Sequence, residues 1–208
     1  MCYNLIKGGG DMKYIITIGR EYGSGGRFIG RLIAEKLGIS FYDDELLTKA
    51  AQESGLSESL FKNYDEERDG FLGSGLGLYT YDVTLSQRVF LAQFDAIKKI
   101  AENESCVIVG RCADYVLKDY ENVANIFICA PMDEKIERAV KYYGLNPLKA
   151  EAAIIKKNKK RKSYYNFYTD NEWGKATNYD LCINSKIGID ESVEAIIAYV
   201  KTRFKIDQ

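Results

Sequence analysis

Hydrophobic positions along this chain switch repeatedly between two spacings, and the alternation is the first clue to its fold. Residues 13–19 form a largely apolar run that stops at a glycine-rich stretch, as a strand buried on both faces does. From Gly26 the spacing becomes helical: Phe28, Ile29, Leu32, Ile33 and Leu37 fall on one face, and Gly38 ends the helix. A short strand is expected at Ile39–Tyr42, then a helix through Leu46, Leu47, Ala50 and Ala51 that Asp43 or Asp44 can cap. Further buried strands are expected at Cys106–Val109, at Ile126–Cys129 before Pro131, and at Tyr179–Ile183. Amphipathic helices are expected at 83–102, Asp133–Tyr143, Pro147–Tyr168 and Asp190–Phe204. Residues 55–82, with Gly70, Gly73, Gly75 and Gly77, read as a flexible connection.

Strands alternating with helices imply a parallel sheet covered on both faces. The expected fold is therefore α/β, a three-layer α/β/α domain over residues 12–208 with a five-stranded parallel sheet. Helical insertions are expected at about 43–100 and about 145–175. A chain of 208 residues can bury one full core without dividing into smaller units. The net charge of -1 argues against a dedicated nucleic-acid binder, and the apolar runs are strand-length, which argues against a membrane protein. With no histidine and no CxxC among five cysteines, the usual zinc sets and histidine-assisted nucleophiles are unavailable. The cysteines read as reduced, mostly buried residues of a cytoplasmic protein. Residues 7–12 read KGGGDM, the translation of a purine-rich ribosome-binding site, so Met12 is the expected start of a bacterial gene and residues 1–11 an extension.

Candidate chemistry centres on Gly19-Arg20-Glu21-Tyr22-Gly23-Ser24-Gly25-Gly26-Arg27. Phosphate requires backbone N–H donors at close range, and a helix N-terminus adds partial positive charge. Glycines between a buried strand and a helix could serve packing alone, but Arg20 and Arg27 flank them, and phosphate binding is the favoured reading. The loop departs from the pattern GxxxxGK[ST]: Gly26 occupies the lysine position, with Arg27 and Phe28 after it. It also lacks the third glycine of GxGxxG.

The stretch ITIGREYGSGGRFIGRLIAEKLGISFYDDELL resembles the cytidylate-kinase-like family, a divergent branch of the P-loop nucleoside monophosphate kinases. VIVGRCADYVL (107–117), IFICAPMDEKIERAV (126–140) and SYYNFYTDNEWGKATNYDLCINSKIGIDESVEAI (163–196) extend the resemblance across the chain from Met12. It implies a P-loop fold whose two insertions are an acceptor-side region and a lid. It also implies ATP as donor with Mg2+, and transfer to a nucleoside monophosphate, CMP or dCMP foremost. Arg20, Gly23, Ser24, Gly25, Gly26 and Arg27 would hold the ATP phosphates. Asp43, Arg88 and Arg111 would face the acceptor, and Lys157 and Arg161 would belong to the lid. Arg27, Arg111 and Arg161 would act on the transferring group. Asp43 is equally placed to be a helix cap. The aromatic stretch Tyr164, Tyr165, Phe167, Tyr168 and Trp173 reads mainly as an anchor. The missing loop lysine and metal-binding hydroxyl leave two alternatives: a nucleotide-binding regulator with impaired catalysis, and a kinase of another small metabolite. No residue is singled out as a metal ligand, and oligomeric state is left open.

Overall fold

The computed structural model describes residues 13–47 and 79–206. β1 (Ile15–Arg20) runs into the glycine loop, and α1 (Gly26–Leu37) starts on its far side. β2 (Ser40–Tyr42) follows, and residues 44–47 are helical. Beyond residues 48–78 come α2 (Tyr79–Asn103), β3 (Cys106–Val109) and the short α3 (Ala113–Val116). β4 (Val123–Cys129), α4 (Met132–Tyr143), α5 (Pro147–Tyr168), β5 (Leu181–Asn184) and α6 (Ile189–Phe204) complete the order.

All five strands form one parallel sheet in the order β2-β3-β1-β4-β5. β1 lies at its centre, with Ile16 opposite Val107 on one side and Ala124 on the other. Because successive strand side chains point to opposite faces, the sheet divides its apolar residues between two cores. Ile16, Ile18, Val107, Val109 and Ile126 pack on Ile29 and Ile33 of α1 and on Val193, Ile196 and Val200 of α6. Ile15, Cys106, Ile108 and Val123 face the other way, toward Ile97 and Ala101 of α2 and Val116 of α3. The result is the expected three-layer α/β/α fold. Strand order reverses at β1, so the carboxyl ends of β1 and β3 border the crevice where ligands bind in open sheets of this kind.

Most expected elements lie where the pattern puts them, and the exceptions have local causes. β4 starts three residues early because Val123 and Ala124 are also buried beside β1. β5 starts late because the Asp180 N–H donates to the Asn125 carbonyl and its carboxylate accepts from the Asn125 N–H, both at 2.7 Å. α3 is four residues long, too short to show a period. The glycine-rich connection and much of the acceptor-side region lie outside the described residues. Of the four cysteines described, Cys106 and Cys112 are buried, Cys129 is half-buried and Cys182 is exposed, so burial holds for only part of the set. No helix among the described residues is long and apolar enough to cross a membrane.

α5 is held by a cap and by an apolar anchor. Asn146 accepts from the Leu148 N–H at 2.9 Å, Pro147 occupies the first turn, and Ile154 is fully buried. Ile154→Ala is expected to lower stability by about 2–5 kcal/mol in urea unfolding, through lost burial and a residual cavity. Its exposed neighbour is the control: Ile155→Ala should change stability by less than about 0.5 kcal/mol.

Candidate functional site

The glycine loop is fixed from several directions. Gly23 sits at φ 82°, and a Cβ there would lie 2.8 Å from the Lys135 carbonyl oxygen, so the loop passes directly against α4. The Glu21 N–H donates to the Ile128 carbonyl at 3.0 Å. Glu21 Oε2 accepts from Lys135 Nζ at 2.9 Å and from the Ala130 N–H at 3.3 Å. The Lys135 side chain is only 8% exposed, so its charge depends on that carboxylate. Ser24 Oγ donates inward to the Glu21 carbonyl at 2.9 Å, and Ser185 Oγ donates to the Ser24 carbonyl at 2.7 Å. α1 then opens with no side-chain cap at Gly25, leaving the first-turn N–H groups of Gly26, Arg27 and Phe28 without intrahelical acceptors. An anion fits there. Gly26 is itself constrained, since a Cβ on it would lie 2.7 Å from Arg20 Cβ.

α5 docks on the same loop. Asn158 Oδ1 accepts from the Tyr22 N–H at 2.7 Å, and Arg161 Nη1 donates to the Arg20 carbonyl at 3.1 Å. Lys157 Nζ and the Arg161 guanidinium stand 4.7 and 5.6 Å from the centre of the Tyr22 ring, and the Tyr143 ring lies 5.2 Å from it.

Below this contact is a cavity of about 190 Å³ at the ends of β1 and β3, into which Arg20, Arg111, Lys160 and Arg161 project. The Arg20 guanidinium lies against Gly110, where a Cβ would meet its Nη1 at 1.8 Å. Burial, then Arg161, push the Arg20 pKa down to about 9; Arg111 adds to this and Asp44 offsets part of it. Among the described residues no carboxylate pairs with it directly. At neutral pH it is a buried cation that lacks a full counter-charge among those residues. Arg111 has a left-handed backbone (φ 55°), a costly conformation for a residue with a Cβ, which aims its side chain at Asp44 and over the Tyr164 ring at 5.6 Å. Burial opposes the charge on Arg111, but Asp44 and Tyr164 outweigh it and raise its pKa. Burial lowers the Arg161 pKa, with Tyr143, Tyr22 and Asp44 opposing. Elsewhere in the lining, the Tyr165 hydroxyl donates to Asp114 at 2.6 Å, and burial pushes the Asp114 pKa up despite that bond.

A second cavity, about 440 Å³, lies on the other side of the helix start. Gly25, Arg27, Phe28 and Arg31 of the loop and α1 face Glu134, Glu137, Arg138, Lys141, Tyr142 and Tyr143 of α4, with Ile189 beside them; Glu134 pairs with Arg138 at 2.9 Å. Phe28 and Tyr142 are exposed aromatics here.

The structure thus brings Arg20, Arg111 and Arg161 into one cavity, and puts Gly25 and Arg27 at the other. Ser24 contributes its backbone to the loop while its hydroxyl faces inward. Asp43 serves as the cap of residues 44–47, accepting from the Glu45 and Leu46 N–H groups, and its other oxygen accepts from Arg27. Lys157 stands on Tyr22 and does not line the arginine cavity; Lys160 does. Arg88 is on α2, with its side chain outside the described ones. The aromatic stretch works largely as an anchor: Tyr168 stacks on Phe90 at 4.1 Å, Trp173 meets Phe127 edge-on, and Tyr165 binds Asp114, while Phe167 is exposed. Sequence reasoning missed Asp114, Lys135, Ser185 and the Phe28–Tyr142 cavity. Asp114 lies in the quoted motif GRCADYVL, and the only other advance signal was the large apolar side chain of Phe28 directly after the loop.

A family model, described as the cytidylate kinase-like family, matches residues 15–187. A cytidylate kinase from Archaeoglobus fulgidus is 28% identical over 202 residues, covering 93% of this chain and 98% of that protein. The crystal structure of an uncharacterized protein from Eubacterium ventriosum superposes with a TM-score of 0.73 at 33% identity, covering 91% of this chain and 99% of the other. A shikimate kinase from Bacteroides thetaiotaomicron has the same fold, with a TM-score of 0.56 at 16% identity over 90% of this chain and 98% of its own.

The Glu21–Lys135 pair lends itself to a double-mutant cycle. Lys135→Met leaves a half-buried carboxylate unpaired and should cost about 1–3 kcal/mol in urea unfolding. Adding Glu21→Gln should recover part of that loss, with a coupling of at least about 0.5 kcal/mol between the two sites.

Proposed function

This chain belongs to the cytidylate kinase-like family, and on that premise we propose that it transfers the γ-phosphoryl group of ATP to a small acceptor that already carries a phosphate. Kinase-type phosphoryl transfer follows from the family; the acceptor is the proposal. One observation carries it: three buried or half-buried guanidinium groups and Lys160 converge on one cavity in which Asp44 is engaged with Arg111. A phosphate dianion meets that charge better than a carboxylate, which brings half as much. A nucleoside monophosphate is the favoured class, because Tyr164, Tyr165 and Trp173 also line the cavity and offer aromatic faces to a base. CMP and dCMP lead, since the curated relative is a cytidylate kinase.

Under this reading the larger cavity takes the donor nucleoside, and the start of α1 takes its phosphates. The acceptor phosphate lies among Arg20, Arg111 and Arg161. Its oxygen attacks the γ-phosphorus in line, the bond to the β–γ bridging oxygen breaks, and ADP leaves with that electron pair. Positioning and charge neutralisation supply the catalysis, with no covalent intermediate. Arg161 is suited to bridge the two halves, because it touches the loop backbone and also faces the cavity. The expected lid, about residues 145–175, corresponds to α5 and the segment after it. Magnesium would be expected with the nucleotide, but the side chains beside the loop do not fit a protein-held divalent ion. Gly26, Arg27 and Phe28 offer no side-chain oxygen, Ser24 Oγ is turned inward, Asp43 is occupied by Arg27, and of the two carboxylates across the cavity, Glu134 and Glu137 on α4, the first is paired with Arg138.

The test is ADP release with CMP, dCMP, UMP and AMP against shikimate and gluconate as acceptors without phosphate. Turnover confined to the phosphate-free acceptors overturns the proposal. Arg20→Met gives a sharper check. It should raise the acceptor KM by roughly 10–100-fold, the loss of one charge-assisted phosphate contact, while ATP affinity changes by less than about threefold. It should also raise the melting temperature of the free protein, because it removes a buried cation lacking its own carboxylate among the described residues.

A further inference from the structure

Phosphate loops that hold magnesium supply a serine or threonine hydroxyl just after the loop lysine, and a carboxylate commonly completes the arrangement. In this chain the position after the missing lysine is Arg27. Its Nη2 and Nε donate to one oxygen of Asp43, at 2.6 and 2.8 Å. Asp43 is only 4% exposed and its other oxygen caps residues 44–47, so the carboxylate is spent on this arginine and on the backbone. Asp44 is engaged with Arg111. Among the described residues no group of three or more histidines, cysteines or carboxylates could hold a metal ion. A guanidinium and its carboxylate therefore stand where oxygen ligands would be needed.

We propose that the donor triphosphate is bound as a metal-free polyanion, with Arg27 as the fixed counter-charge that a divalent ion provides in other phosphate loops. The inference rests on the donor-site reading above. Three features support it. Arg27 lines the larger cavity beside Gly25, next to the first-turn N–H groups of α1. Its side chain is 46% exposed above a buried carboxylate, so Asp43 orients it from beneath while the outer edge stays open. Nε and Nη2 are committed, which leaves Nη1 with no acceptor among the described residues and two N–H donors for phosphate oxygens. Glu45 approaches Nη2 only at 3.5 Å and is 82% exposed, so water screens most of its competition.

Isothermal titration of the full chain with ATP, once in EDTA and once with magnesium chloride, tests this without requiring turnover. The wild-type dissociation constants should differ by less than about tenfold. Arg27→Ser, which removes the charge and supplies the hydroxyl, should weaken ATP binding in EDTA by about tenfold or more, with magnesium recovering part of the loss. The double variant Arg27→Ser with Asp43→Asn avoids an unpaired buried carboxylate and should behave alike if the single variant does not fold. Wild-type binding that falls tenfold or more in EDTA overturns the inference and leaves the donor site standing. So does a variant lacking Arg27 that binds in EDTA as the wild type does. Absence of ATP binding in both buffers overturns the donor-site reading and the inference together.

Discussion

Positive charge buried, among the described residues, with less than its complement of negative charge is the constraint on which the rest of this structure depends. Arg20, Arg111 and Arg161 come from three distant stretches of chain and meet in a cavity where the nearby carboxylate of Asp44 is shared. Holding them there costs the free protein stability, and the surrounding structure offsets it. The loop is pinned by Glu21, Lys135 and Ser185, Arg111 takes a strained backbone, and α5 is docked through Asn158 onto the loop amide. Under the proposed reading, an anion entering such a cavity would recover the energy stored in its like charges.

Much of this was legible in the sequence, for physical reasons that differ by element. β1, β3 and α1 are buried by repeating apolar patterns, and a pattern of that kind determines both element type and facing. The glycine loop announced itself because only glycine tolerates its positive φ and its approach to α4. The direction of the arginine side chains could not be read. Arg20 and Arg27 flank the same loop, yet one turns toward β3 and the other toward the end of β2, a choice made by Gly110 and Asp43 far along the chain. Asp114 and Lys135 were missed for the same reason. An acid in a motif and a lysine on a helix look like surface residues until folding half-buries the one and buries the other.

The departures from the usual P-loop sequence form a set. Asn158 docks α5 on the loop with a neutral side chain, its amide oxygen accepting from the Tyr22 N–H without adding charge. Lysine and hydroxyl are absent from the loop, while arginines stand beside it on both sides. Positive charge lies on the flanks of the loop, and at its centre Gly26 leaves the backbone amides at the start of α1 without a lysine beside them.

The contact between Gly26 and Arg20 bears on which sequences this loop accepts. Any side chain at position 26 would bring its Cβ to 2.7 Å from Arg20 Cβ, so a lysine there requires Arg20 to leave its present place. The two positions are a coupled pair: the residue at one restricts what the other can hold, and a loop of the common P-loop form needs both to change together.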